Sequence, residues 1–151
     1  MLARRARILW LLGASLVALP AAAADYVGAE VCKSCHAAEY AQWSTTGHAS
    51  SLTRLTPVQQ RDRGCRTCHT TDAASTDPVT AGVQCESCHG AGALYSQRYV
   101  MKDKVLARLL GLADIRPETC GSCHGSESPS VVPYDYATAV KRVAHKSEAK
   151  Q

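Results

Sequence analysis

The sequence predicts a mostly α-helical fold of short helices joined by long loops, with little or no β-structure. Three observations carry that expectation. No stretch keeps the period-two alternation of β-branched and aromatic residues that marks a strand. Two stretches, one ending near Leu112 and one near His145, repeat apolar residues at helical spacing. The cysteines and most histidines fall in short units whose spacing suits a single helical turn.

The bulk composition first needs a correction. Residues 1–24 open with Arg4, Arg5 and Arg7, continue through an apolar run from Ile8 to Leu19, and end in Ala22, Ala23 and Ala24. This is the pattern of a secretory signal peptide, with cleavage expected between Ala24 and Asp25. The apolar run is short of the about 20 residues that span a bilayer, so stable membrane insertion after cleavage is not expected. Removing 24 of 151 residues leaves 127 with 14 basic and 13 acidic side chains, a net charge of +1 instead of +4. A basic nucleic-acid binder is thereby excluded as the default reading. Leu, Ile, Val and Phe together make up 19 of those 127 residues, or 15%, too few for an ordinary hydrocarbon core.

The eight cysteines form four units of one pattern: Cys32-Lys-Ser-Cys35-His36, Cys65-Arg-Thr-Cys68-His69, Cys85-Glu-Ser-Cys88-His89 and Cys120-Gly-Ser-Cys123-His124. Cys-x-x-Cys-His is the attachment signal for c-type haem. Two thiols three positions apart on a helical turn add across the two vinyl groups of one porphyrin, and the adjoining imidazole becomes the proximal iron ligand. Paired cysteines also build zinc ribbons, and an exported chain also carries disulfides. Neither alternative accounts for a histidine after every pair. With six histidines in 151 residues, chance places one at all four positions on the order of once in a million. Four covalent haems, anchored by Cys32, Cys35, Cys65, Cys68, Cys85, Cys88, Cys120 and Cys123, are therefore expected, with His36, His69, His89 and His124 as proximal ligands. Porphyrins then supply the missing interior, at about 32 residues per haem, and their propionates make the holoprotein net negative. The first cysteines are 33, 20 and 35 residues apart, which excludes a regular solenoid.

In chain order, a helix is predicted from the first unit through Trp43, with a turn at Gly47 leading to His48. A polar loop follows the second unit over residues 71–82. A helix beginning near Asp103 would place Val105, Leu106, Leu109, Leu110 and Leu112 against haem, with Gly111 near its end. Pro117 and Glu118 suit a first helical turn leading into the fourth unit. After a loop over residues 125–133, Tyr136, Val140, Val143 and Ala144 share the face of a helix closing on His145, and a frayed tail starts at about residue 146. These intervals are too short for a second domain, so residues 25–151 read as one haem-binding domain.

Four irons accept up to four distal ligands, and only His48 and His145 remain among the histidines. Both are expected distal ligands, since imidazole suits iron. Met101 is a further candidate through its thioether, against the alternative that it packs on a porphyrin face. Tyr95 and Tyr99 lie nearby and are expected to pack. This leaves at least one iron, and as many as two, without a sixth protein ligand and open to a small molecule such as nitric oxide.

The stretches "YVGAEVCKSCHAAEYAQWSTTGHA", "VQCESCHGAGALYSQRYVMKDK" and "PYDYATAVKRVAHK" resemble the tetrahaem cytochrome c-554 family across nearly all of residues 25–151. The resemblance implies helices wrapped around closely stacked haem pairs, mostly bis-histidine ligation with one haem lacking a distal protein ligand, and periplasmic electron transfer. His48 and His145 match family distal ligands. A third distal histidine, which the family's namesake carries after its third unit, has no counterpart in "YSQRYVMKDK".

The expected function is single-electron transfer between redox protein partners in the periplasm, with no catalytic residues, no nucleic acid and an open oligomeric state. The alternatives are a small reductase of nitrogen or sulfur oxides at a five-coordinate iron, or a subunit of a polymeric haem filament.

Overall fold

The computed structural model describes residues 25–125 and 134–145. The expected leader, most of the loop at 125–133 and the tail from 146 lie outside the described residues. Eight α-helices of four to eight residues follow one another: α1 (Ala29–Lys33), α2 (Ala37–Ser44), α3 (Arg63–His69), α4 (Cys85–His89), α5 (Arg98–Met101), α6 (Lys104–Leu109), α7 (Pro117–His124) and α8 (Tyr136–Val143). Among the described residues there is no strand, only isolated bridges from Thr70 to Ala81 and Gly82. The mostly helical expectation holds.

Helices this short are not stable alone, so each relies on its ends and neighbours. The Asp62 carboxylate caps α3 by accepting the N–H groups of Gly64 at 2.7 Å and Cys65 at 3.3 Å. Asp103 does the same for α6, taking those of Val105 and Leu106 at 3.0 Å each. Pro117 opens α7, where a missing N–H costs nothing. Asp135 caps α8 through the Thr138 N–H at 2.9 Å. Gly90 ends α4 at φ 83°, where any Cβ would collide with the Gly111 carbonyl oxygen. The polar loop at 71–82 is more ordered than its composition suggests. It holds a 3-10 turn, Pro78–Thr80, and Thr71 N–H donates to the Thr80 carbonyl at 3.0 Å.

The interior made by the polypeptide is very small. Buried apolar residues among those described are Ala29, Tyr95, Val100 and Ala107. Ser51, Arg66, Thr70, Thr80, Gln84 and Glu86 are also buried, so polar residues outnumber apolar ones inside. Tyr95, Val100 and Ala107 form one cluster, with Met101, Leu106, Leu110 and Leu112 packed against it. The apolar face of α6 divides: Leu106 and Leu110 join this cluster, whereas Val105 and Leu109 stay 69% and 78% exposed. One i, i+4 row of the helix meets the polypeptide and the adjacent row does not.

Candidate haem-binding site

The four Cys-x-x-Cys-His units occupy helical turns. The second and third lie wholly inside α3 and α4, and the fourth ends α7. The first begins with Cys32 in the last turn of α1 and reaches His36, the residue before α2. Positions i, i+3 and i+4 of a turn share one face, so both thiols and the imidazole of a unit address the same space. No cysteine is in a disulfide. Among the described residues no three His, Cys, Asp or Glu side chains converge as a metal-ion site.

Two pairs of histidines face each other across gaps. The ring centres of His48 and His124 are 6.0 Å apart, and those of His89 and His145 are 6.2 Å apart. A metal–nitrogen bond of about 2.0 Å plus the ~1.1 Å from that nitrogen to the ring centre, counted on both sides, spans about 6.2 Å for two imidazoles sharing one ion. Both ring-centre distances match that span. The structure thus brings His145 to the third unit and His48 to the fourth. Burial pushes the His48 imidazole below its ordinary pKa, as does the charge of His124. His89 is lowered for the same first reason, with His145 and His36 adding to it. A neutral ring is the form that binds metal.

The second unit prepares its ligand differently. Ring nitrogen Nδ1 of His69 lies 2.8 Å from the Ser51 carbonyl oxygen. A carbonyl only accepts, so Nδ1 carries the proton and Nε2 presents its lone pair to an iron. Ser51 Oγ also donates to the His69 carbonyl at 3.0 Å and accepts from Val83 N–H at 3.0 Å, which fixes the turn as a whole.

Helix α2 holds both segments that carry the partner histidines. Trp43 Nε1 donates to the Val83 carbonyl at 2.9 Å, just before the third unit. Gln42 Nε2 donates to the Ala144 carbonyl at 3.1 Å, next to His145. Beside the fourth unit, the Tyr134 ring lies 4.9 Å from that of His124 at an interplanar angle of 13°. Burial and a hydrogen bond to Cys120 push its hydroxyl up to about 12.

The side chains that bind the units together sit at positions that sequence reading treats as filler. Glu86, between the cysteines of the third unit, is 3% exposed. Its carboxylate accepts the N–H groups of Val27 at 3.0 Å, Gly28 at 2.8 Å and Gly92 at 2.6 Å. Gln84, just ahead of that unit, accepts from Ala29 N–H at 2.7 Å and donates to the Val79 and Ala81 carbonyls. Together they clamp the start of α1, and with it the first unit, onto the third. Arg66 holds the corresponding place in the second unit and donates to the carbonyls of Ala73, Gln60 and Asp72 at 3.1, 3.3 and 3.2 Å. The only advance signal is a charged residue at the same place in the second and third units, Arg66 and Glu86.

The units touch in an order that differs from chain order. Helices α1 and α4 pack together and set Cys32 beside Cys85, joining the first unit to the third. Cys88 of the third lies near Cys120 and Cys123 of the fourth. Cys123 in turn perturbs Cys68 and donates weakly to the Thr67 carbonyl at 3.8 Å, joining the fourth to the second. The spatial sequence is one, three, four, two. Met101 lies half-buried against the Tyr95, Val100 and Ala107 cluster. The Tyr95 hydroxyl donates to the Gly90 carbonyl at 2.7 Å, so that phenol keeps its proton, and Tyr99 is exposed.

Attachment turns packed close together, histidine pairs at the spacing of a shared iron and an interior with very little hydrocarbon define a class, the multihaem c-type cytochromes, with one covalent haem at each unit. A family model described as cytochrome c554 and c-prime matches residues 31–90. Cytochrome c-554 of Nitrosomonas europaea is 31% identical over a 96-residue alignment covering 48% of this chain and 41% of that protein, so the matched part spans less than half of that relative. The solved structure of reduced cytochrome c554 from Nitrosomonas europaea superimposes with a TM-score of 0.57 at 25% identity, over 81% of this chain and 79% of that one. In sequence over residues 31–90 and in fold over most of its length, the chain is similar to cytochrome c554.

Proposed function

We propose that the protein carries single electrons between redox protein partners in the periplasm. The observation that supports this best is the packing of the units, the first against the third through α1 and α4 and the second against the fourth through α3 and α7, with Cys88 beside Cys120 between the two pairs. A haem supplies a one-electron ferric/ferrous couple, and the protein supplies position and electrostatics. The cysteines of each unit anchor its haem, and His36, His69, His89 and His124 bind iron from the proximal side. His145 closes the third iron and His48 the fourth. Met101 contributes packing to the cluster around Tyr95. Export rests on the leader pattern, and no helix among the described residues is long and apolar enough to cross a membrane.

Protein-film voltammetry of the four-haem protein tests this reading. Four reversible one-electron waves with rapid exchange support it; haems that fail to exchange electrons with one another refute it. A reductase is the second reading, favoured by His36 and His69, which no second imidazole faces among the described residues. Sustained consumption of a nitrogen oxide by the reduced protein at enzymatic rates would establish it.

A further inference from the structure

All six histidines of the chain are among the described residues, so their distribution is complete. Four of them form the two facing pairs, His48 with His124 and His89 with His145. His36 and His69 are left over, and they belong to different contact pairs of units. The first unit, on His36, adjoins the third, whose iron is closed by His145. The second, on His69, adjoins the fourth, whose iron is closed by His48. The family resemblance implies one iron without a distal protein ligand; the pairing in this chain leaves two.

Among the described residues, the other donors named near the first unit are engaged. Lys33 Nζ is paired with Glu30 at 3.3 Å and lies 4.6 Å from the centre of the Tyr40 ring. The Tyr40 hydroxyl donates to Glu30. Tyr95, the phenol whose titration feels Cys32 and Cys85, spends its proton on the Gly90 carbonyl. Met101 is packed against Tyr95, Val100 and Ala107.

We propose that the iron held by His36 has no protein ligand on its far side, so that a small neutral diatomic ligand such as carbon monoxide or nitric oxide can bind there as well as at the iron held by His69. Each contact pair of units then couples one closed iron to one open iron, and the ligand-binding capacity of the chain is two. The inference rests on the haem assignment and not on electron transfer, which holds or fails independently in voltammetry.

The test is a carbon monoxide titration of the dithionite-reduced four-haem protein, at gas concentrations comparable with the haem concentration. Two molecules bound per chain are expected. His48→Ala and His145→Ala should each raise the count to three, which identifies the closed irons. Met101→Leu should leave it at two. One molecule or none in the unsubstituted protein overturns the proposal. So does a rise from one to two on Met101→Leu, or a count that neither histidine substitution changes.

Discussion

The buried carboxylate of Glu86 accepts the backbone N–H of Gly28 at 2.8 Å, and this contact ties the first haem unit to the third. Fifty-eight residues separate the two, yet Glu86 lies inside the third unit and Gly28 directly precedes the helix that begins the first. The relative placement of the units depends on such contacts, because each unit alone is a five-residue turn.

Glu86→Gln keeps the shape but removes the charge, and it turns an amide NH2 towards backbone N–H groups that need an acceptor. A loss of about 2–3 kcal/mol is expected, in line with charge-assisted hydrogen bonds and the cost of an unsatisfied buried donor. Calorimetric unfolding of the holoprotein measures it. Removing a negative charge also disfavours the ferric state, so the potential of a nearby haem should rise. On the order of 1 kcal/mol, or about 40 mV for one electron, is expected at an effective dielectric constant near 20.

Arg66 offers the reverse experiment. Its guanidinium donates to three backbone carbonyls in the second unit. Arg66→Met should destabilise by roughly 2–4 kcal/mol through the carbonyls left unpaired, and it should lower a haem potential where Glu86→Gln raises one. Redox titration of both variants checks the signs. Shifts in the same direction would contradict the assignment of local charge.

His48→Ala and His145→Ala should each convert one low-spin six-coordinate haem to high spin while four haems remain attached. Electron spin resonance of the oxidised protein reads the change. An unchanged spectrum for either variant removes that histidine from the ligand set.

Expression without haem-attachment machinery should give a chain that does not melt cooperatively. Ala29, Tyr95, Val100 and Ala107 bury too little apolar surface to offset the ordering of over a hundred residues. A cooperative calorimetric transition in the haem-free chain would show that the polypeptide has a sufficient core of its own.

Much of this was legible locally. The i, i+3, i+4 spacing placed every unit on a helical turn, and Asp103, Pro117 and the face shared by Tyr136, Val140 and Val143 marked the starts or faces of α6, α7 and α8. The shortage of aliphatic residues announced an interior filled from outside the chain. What was not legible depends on partners distant in sequence. Nothing near His48 shows that it faces His124, 76 residues away, and nothing near His145 points to His89. Gln84, Glu86 and Arg66 flank or fill the attachment units, where the pattern tolerates any residue, so their clamping role emerges only once α1 and the 71–82 loop are in place. The short helix α5 carries no capping signal and was equally hidden.

If the four units form one connected path, flash photoreduction of the oxidised four-haem protein, with less than one electron delivered per chain, is expected to redistribute absorbance among the haems in a first-order step whose rate does not change with protein concentration. A redistribution rate proportional to protein concentration would mean that electrons move between molecules and not along the path, and would contradict it.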